Sequence, residues 1–205
     1  QSTLIVVDDF FDNAEALRQA ALGLDYSQEK GEFPGHNGLQ RINIPGLAEQ
    51  VSWLLHEPLA QMTNVASHAK CRLTLAHEQG RGKVHIDPSH WSGILYLSRD
   101  EDCVGGTDFF RHIRTNTDRA PVTTDELARH GYGSVDEMTR DIIGKDGLDD
   151  SKWEKTMTVP MRFNRLVLLR PWLWHTAGPG FGDRPENGRL VYLMFFQSAL
   201  APRQG

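Results

Sequence analysis

Residues 83–98, KVHIDPSHWSGILYLS, set a histidine and an aspartate one residue apart in a stretch that otherwise reads as β-strand. Successive side chains of a strand point to opposite faces, so Lys83, His85 and Asp87 share one face and Val84 and Ile86 the other. An imidazole beside a carboxylate can hold a metal or pass a proton. With 9 His and 16 Asp in 205 residues, however, one such pair is what a random shuffle produces. The pair gains meaning only with a third group and a pocket.

His175 is the candidate third group. It follows RLVLLRPWLW, a strand that Pro171 brings to an end, and precedes TAGPGFGDRPENG, a turn-rich run leading into the last long strand. Flanked by Trp172 and Trp174, it stands at a strand mouth, where β-barrels keep their ligands. Two imidazoles and one carboxylate are the set that occupies one face of an octahedral non-haem iron and leaves three positions open. A structural zinc would instead close four ligands, usually with thiolates, and neither Cys71 nor Cys103 belongs to this set. His36, His56, His68 and His130 fall in loop or helix surroundings and read as ordinary imidazoles; His77, His90 and His112 lie in or beside strands and are weaker metal candidates.

Arg189 opens the strand RLVYLMFF, and alternation puts it on one face with Val191 and Leu193. A buried guanidinium costs several kcal/mol unless an anion meets it. No acidic residue of the same strand answers, whereas a bound dicarboxylate would, through a two-pronged contact. A surface arginine at a strand start is the alternative.

The elements that must position these groups are legible in outline. STLIVVDDFF reads as a short buried strand, and Asn13 can cap a helix with Leu17, Ala20, Ala21 and Leu24 on one face. Gly31, Pro34, Gly35, Gly38, Pro45 and Gly46 mark a loop, after which Leu47, Val51, Leu54 and Leu55 fall at helical spacing until Pro58. From residue 71 the period becomes that of strands: CRLTLAHE, GKVHID, SGILYLS, TDFFRH, TMTVPM, NRLVLLR and GRLVYLMFFQ. Short strands joined by turns predict an antiparallel sandwich or barrel. Residues 113–155 interrupt it with helix-like sequence, Thr123–Glu126 and Ser134–Glu137 having capping-box form and Gly144 a plausible stop. An insertion of this length is expected to form a lid or binding loop.

The reading is of one domain over residues 1–205: an N-terminal strand and helix support (1–70), a core (71–197) and the inserted segment (113–155). Its composition, 39% hydrophobic and 24% charged, is that of a globular chain, and no apolar run reaches the roughly 20 residues a membrane span needs. A net charge of −5 offers no basic field for a phosphate backbone, so nucleic acid is disfavoured. Two cysteines and no visible secretory signal suggest reduced thiols and a cytoplasmic setting; the absent initiator Met suggests that some residues have been removed.

In order, VHID, ILYLS, CVGGTDFF, NRLVLLRPWLWH and GRLVYLMFF resemble the iron(II)- and 2-oxoglutarate-dependent dioxygenase superfamily, and within it the prolyl-4-hydroxylase-like branch, over roughly residues 71–197. The resemblance implies a mainly β (α+β) double-stranded β-helix, a jelly roll or cupin-like fold, with flanking helices and a helical insertion. It implies that His85, Asp87 and His175 ligate Fe(II), that Arg189 anchors the distal carboxylate of 2-oxoglutarate with Tyr96 bonding the same carboxylate, and that Gly105 and Gly106 turn the chain toward a pocket strand. Ser98 stands where that branch commonly has asparagine. The implied reaction consumes O2 and 2-oxoglutarate, releases succinate and CO2, and hydroxylates a substrate C–H bond; a retained Asp87 favours hydroxylation over halogenation.

Three rival readings differ in class: a cupin-like metal enzyme without 2-oxoglutarate, a non-catalytic module that binds metal or 2-oxoglutarate, and a plain scaffold with the histidines as core residues. The substrate, a free small molecule or a peptidyl residue, is not written in the sequence. Trp91, Trp172, Trp174, Phe109 and Phe110 could line a pocket, although such aromatics are more often core.

Overall fold

A computed structural model describes residues 2–26, 34–78 and 83–200. The Gly31 and Gly82 of the expected loop and strand lie outside them. Among these described residues, ten strands and four α-helices follow in the order β1 (Leu4–Val7), α1 (Ala14–Leu22), β2 (His36–Asn37), α2 (Leu47–Leu55), β3 (Leu59–Gln61), β4 (Lys70–Thr74), β5 (Trp91–Tyr96), β6 (Gly106–His112), α3 (Thr124–Arg129), α4 (Val135–Asp146), β7 (Trp153–Pro160), β8 (Leu166–Leu169), β9 (His175–Ala177) and β10 (Arg189–Ser198). All named pairings are antiparallel. The fold is mainly β.

The larger sheet runs β1-β8-β5-β10-β4-β2, with β3 also on β10, and the smaller runs β7-β6-β9. Helices cover the outside of both. On the outer face of the larger sheet, Leu73, Leu95, Leu166, Leu168, Leu190, Tyr192, Met194 and Phe196 pack against Ala21 of α1 and Leu47 and Val51 of α2. On the outer side of the smaller, Phe110 and Trp153 pack with Leu127 of α3 and Met138, Ile142 and Ile143 of α4. The inner faces meet through Tyr96, Phe109, Val159, Val167, Leu169 and Val191. Alternation explains this division, because on β10 the even-numbered residues point to the helices and the odd-numbered ones inward.

Several expectations are corrected. Residues 83–87 form no continuous strand; a single bridge between His85 and His175 is all that remains of it, since the Val84 N–H goes to Gly147 O and the Asp87 N–H to Pro171 O, and no one neighbouring strand takes them all. The strand from Cys71 stops at Thr74. The first 70 residues do more than support the core, for β1 is an edge of the larger sheet and β2 and β3 also join it. Gly144 does not stop α4, which continues to Asp146 and is capped by Gly147, because the apolar face formed by Met138 and Ile142 extends to Ile143 and holds the last turn in place. Both expected caps form: Thr123 makes a full capping box with Glu126, and Ser134 accepts from the Glu137 amide.

Glycine at 106 answers a close approach. A β-carbon there would sit 1.8 Å from the Val159 carbonyl oxygen on the paired strand, and the preceding Gly105 has φ +68. This turn brings β6 across the inside of the molecule.

Candidate metal centre and anion pocket

His85 reaches the interior from the short bridged segment after residue 83, and His175 from the start of β9. Their backbones pair directly, His85 N–H to His175 O at 3.0 Å and His175 N–H to His85 O at 3.3 Å. This bridge sets the ring centroids 4.5 Å apart. Asp87 joins them because its own N–H is held by the Pro171 carbonyl at 3.2 Å, at the end of the strand that leads to His175. The three side chains offer ligand atoms that all lie within 4.8 Å of one another.

The tautomers suit a cation. His85 Nδ1 donates to its neighbour Lys83 O at 2.8 Å and His175 Nδ1 to Leu173 O at 2.7 Å. Each bond leaves Nε2 as the inward atom, 3.6 Å from Asp87 Oδ1 for His85 and 3.4 Å from Asp87 Oδ2 for His175. Burial, then the charge of His175, pulls the His85 imidazole down to about 4. Against its own burial, Asp87 raises His175 through a hydrogen bond and its charge. Burial opposes ionisation of Asp87, but the hydrogen bond and charge of His175, the charge of His85 and the Ser92 hydroxyl outweigh it and hold the carboxyl below the usual range. An ionised carboxylate facing two Nε2 atoms fits a divalent metal.

This centre opens on a cavity of about 310 Å³ between the two sheets. Arg189 lines it, 3% exposed, donating one hydrogen bond, Nη2 to Gly106 O at 3.1 Å, while its buried Nε has no hydrogen-bond partner among the described residues. Burial lowers its pKa. The backbone on both sides of Arg189 is fixed by Ser98, which donates to Gly188 O at 2.9 Å and accepts from Leu190 N–H at 2.8 Å. Opposite Arg189 on β4 stands Thr74, also in the lining.

Tyr96 lies on the same face but behind the wall, fully buried. Its hydroxyl is 2.7 Å from Thr107 Oγ1 and 3.3 Å from the Val159 carbonyl, and Thr107 rather than Tyr96 lines the cavity. The remaining wall is largely Ile94, Val191, Leu193 and Phe195, with Arg72 at the β4 side. Arg72 donates to the Pro34 and Gly35 carbonyls and to Asn37, holding the rim segment.

None of the five aromatics singled out in the sequence lines the cavity: Trp91 is core behind the larger sheet, Phe109 lies between the sheets, and Phe110, Trp172 and Trp174 pack on the outer side of the smaller. No described residue of 113–155 lines it either, so the expected lid is instead a buttress packed against Val84, Ile86 and Trp174, the immediate neighbours of the three ligand candidates. Two of the weaker histidine candidates have other partners: His90 bonds Glu57 and Arg170, and His112 bonds Thr115 and Asp146. Sequence reasoning passed over Ser92, Thr107 and Phe195. Strand parity with Arg189 and Tyr96 could have marked the first and last, but only the packing of the two sheets reveals Thr107.

A protein-family model described as a family of unknown function, DUF6445, matches residues 1–196. The chain belongs to DUF6445. No curated protein matches this DUF6445 chain in sequence. Solved structures similar to it include HygX from Streptomyces hygroscopicus with nickel and 2-oxoglutarate bound, 11% identical over 97% of this chain and 84% of that one, with a TM-score of 0.46. The same protein with iron bound gives 11%, 97%, 83% and 0.45. An N-substituted L-amino acid dioxygenase from Burkholderia ambifaria AMMD is 14% identical over 95% of this chain and 82% of that one, with a TM-score of 0.42. Among the described residues of the DUF6445 chain, no helix is long and apolar enough to cross a membrane.

Proposed function

We propose that this DUF6445 chain is an iron(II)- and 2-oxoglutarate-dependent oxygenase with a double-stranded β-helix core, hydroxylating a C–H bond of a small-molecule or peptidyl substrate with release of succinate and CO2. The observation that carries the reading is one cavity holding both a two-histidine, one-carboxylate cluster and a buried guanidinium with an unpartnered Nε. A facial set of three ligands leaves positions for a chelating oxoacid and for O2.

In this reading His85, Asp87 and His175 hold the metal, their tautomers fixed by the Lys83 and Leu173 carbonyls. Iron(II), when bound, supplies the oxygen chemistry. Arg189 donates to the distal carboxylate of 2-oxoglutarate, with Thr74 and Thr107 as neighbouring hydroxyls, and Tyr96 acts on that end through Thr107. The wall of Ile94, Val191, Leu193 and Phe195 keeps water from the reacting centre.

The test is anaerobic titration of the iron(II)-loaded protein with 2-oxoglutarate. The expected result is a weak visible charge-transfer band in wild type that is lost in Asp87→Ala. An iron-replete protein without the band would move the site to a cupin-like metal enzyme lacking 2-oxoglutarate. A band with no succinate release across substrate classes would make it a binding module.

A further inference from the structure

We propose that Ser92 is a positioning residue that keeps Asp87 a one-oxygen ligand and thereby preserves the third open position at the metal; the inference rests on the metal site proposed above. Ser92 Oγ donates to Asp87 Oδ2 at 2.6 Å, the short separation of a hydroxyl on an ionised carboxylate. Ser89 Oγ lies 2.8 Å from Ser92 Oγ. Because the single proton of Ser92 goes to Asp87, Ser89 must donate in turn, and the relay runs Ser89 to Ser92 to Asp87.

The relay is anchored by a strand. Ser92 sits on β5, paired with Phe195 on one side and Leu169 on the other, and is 3% exposed. Its hydroxyl therefore has a fixed place against which the carboxylate plane is set. One oxygen, Oδ2, is committed to this hydroxyl, and Oδ1 is left as the stronger donor toward a cation beside the two Nε2 atoms.

The consequence is a count of positions. In an octahedral site, two imidazoles and one carboxylate oxygen leave three positions, as needed by a chelating oxoacid plus O2. Chelation by both carboxylate oxygens would leave two, which the oxoacid alone would fill. A hydrogen bond to one oxygen of a ligating carboxylate orients it in this way, and such outer contacts affect metal affinity about 10–100-fold.

The experiment compares wild type, Ser92→Ala, Ser92→Thr and Ser92→Val by calorimetric titration with Mn(II) and by the visible spectrum of the Co(II)-loaded protein, with circular dichroism as the check on folding. Thr and Val share a shape and differ in the hydroxyl. Ser92→Ala and Ser92→Val are expected to bind Mn(II) about 10–100-fold more weakly and to shift the Co(II) bands, while Ser92→Thr keeps wild-type behaviour in both. Wild-type Kd and bands in folded Ser92→Ala overturn the role of Ser92. Weaker Mn(II) binding with unchanged Co(II) bands overturns the one-oxygen assignment. Wild-type protein that takes up no Mn(II) overturns the metal site itself, a result distinct from both.

Discussion

At the scale of single residues, two features suit partners from outside the chain. Two imidazoles turned toward one ionised carboxylate suit a cation, and the Nε of Arg189, with no hydrogen-bond partner among the described residues, suits an anion. A charge-assisted hydrogen bond contributes about 1.5–3 kcal/mol, and 1.4 kcal/mol is about tenfold in affinity. Arg189→Ala is therefore expected to weaken 2-oxoglutarate binding by about 10–100-fold, read from the midpoint of the charge-transfer titration, with Fe(II) binding unchanged. An unaltered midpoint would remove the arginine from the anchor role. His175→Ala is expected to lower metal affinity, as measured by Mn(II) calorimetry, because it takes one of the three proposed ligands.

Among the elements, the insertion at 113–155 has changed meaning. Its α3 and α4 bury Leu127, Met138 and Ile142 against Val84, Phe110, Trp153 and Trp174, so the bridged segment that carries His85 and the strand that carries His175 lean on it. Met138→Ala is expected to cost about 2–5 kcal/mol by leaving a cavity in this layer, seen as a lower melting temperature. Deleting 113–155 is expected to abolish metal and 2-oxoglutarate binding together, since it strips the backing from both ligand segments. Intact 2-oxoglutarate binding in the deletion variant would restore the lid. Gly106→Ala is expected to prevent stable pairing of β6 with β7, because its β-carbon would meet the Val159 carbonyl and neither backbone can yield without breaking the ladder.

For the whole molecule, the buried imidazoles set the response to acid. Burial lowers His68 and His112 below the ordinary 6.5, and burial with the charge of His175 takes His85 to about 4. The unfolded chain takes up these protons first, so their contribution to stability is present above 6.5 and is lost as pH falls through the folded values. His175 has the opposite sign: its raised value contributes stability below 6.5 that is lost as pH rises through the folded value. Three groups against one give a net expectation that the melting temperature of the metal-free protein falls as pH drops from about 6.5 toward 5. Thermal unfolding followed by circular dichroism at stepped pH checks this, and a melting temperature that held steady or rose over that range would contradict it.

What the sequence alone determined was whatever depends on local period and residue chemistry. The inward face of β10 with Arg189, Val191 and Leu193, the caps at Thr123 and Ser134, and the strand ends around Pro171 all follow from alternation, hydrogen-bonding side chains and the missing proline donor, which act over a few residues. So does the triad as a chemical suggestion, because imidazole and carboxylate types at strand ends are visible without coordinates. Contacts between residues far apart in the chain are another matter and come from the packed molecule. Whether His85 and His175 meet depends on one antiparallel bridge across 90 positions, the wall that carries Thr107 depends on how two sheets stack, and the side of the smaller sheet on which α3 and α4 pack decides that they buttress the candidate ligands and do not line the cavity. Local periodicity gives each element its faces, whereas the choice of which faces are buried against each other belongs to the packing of the whole chain.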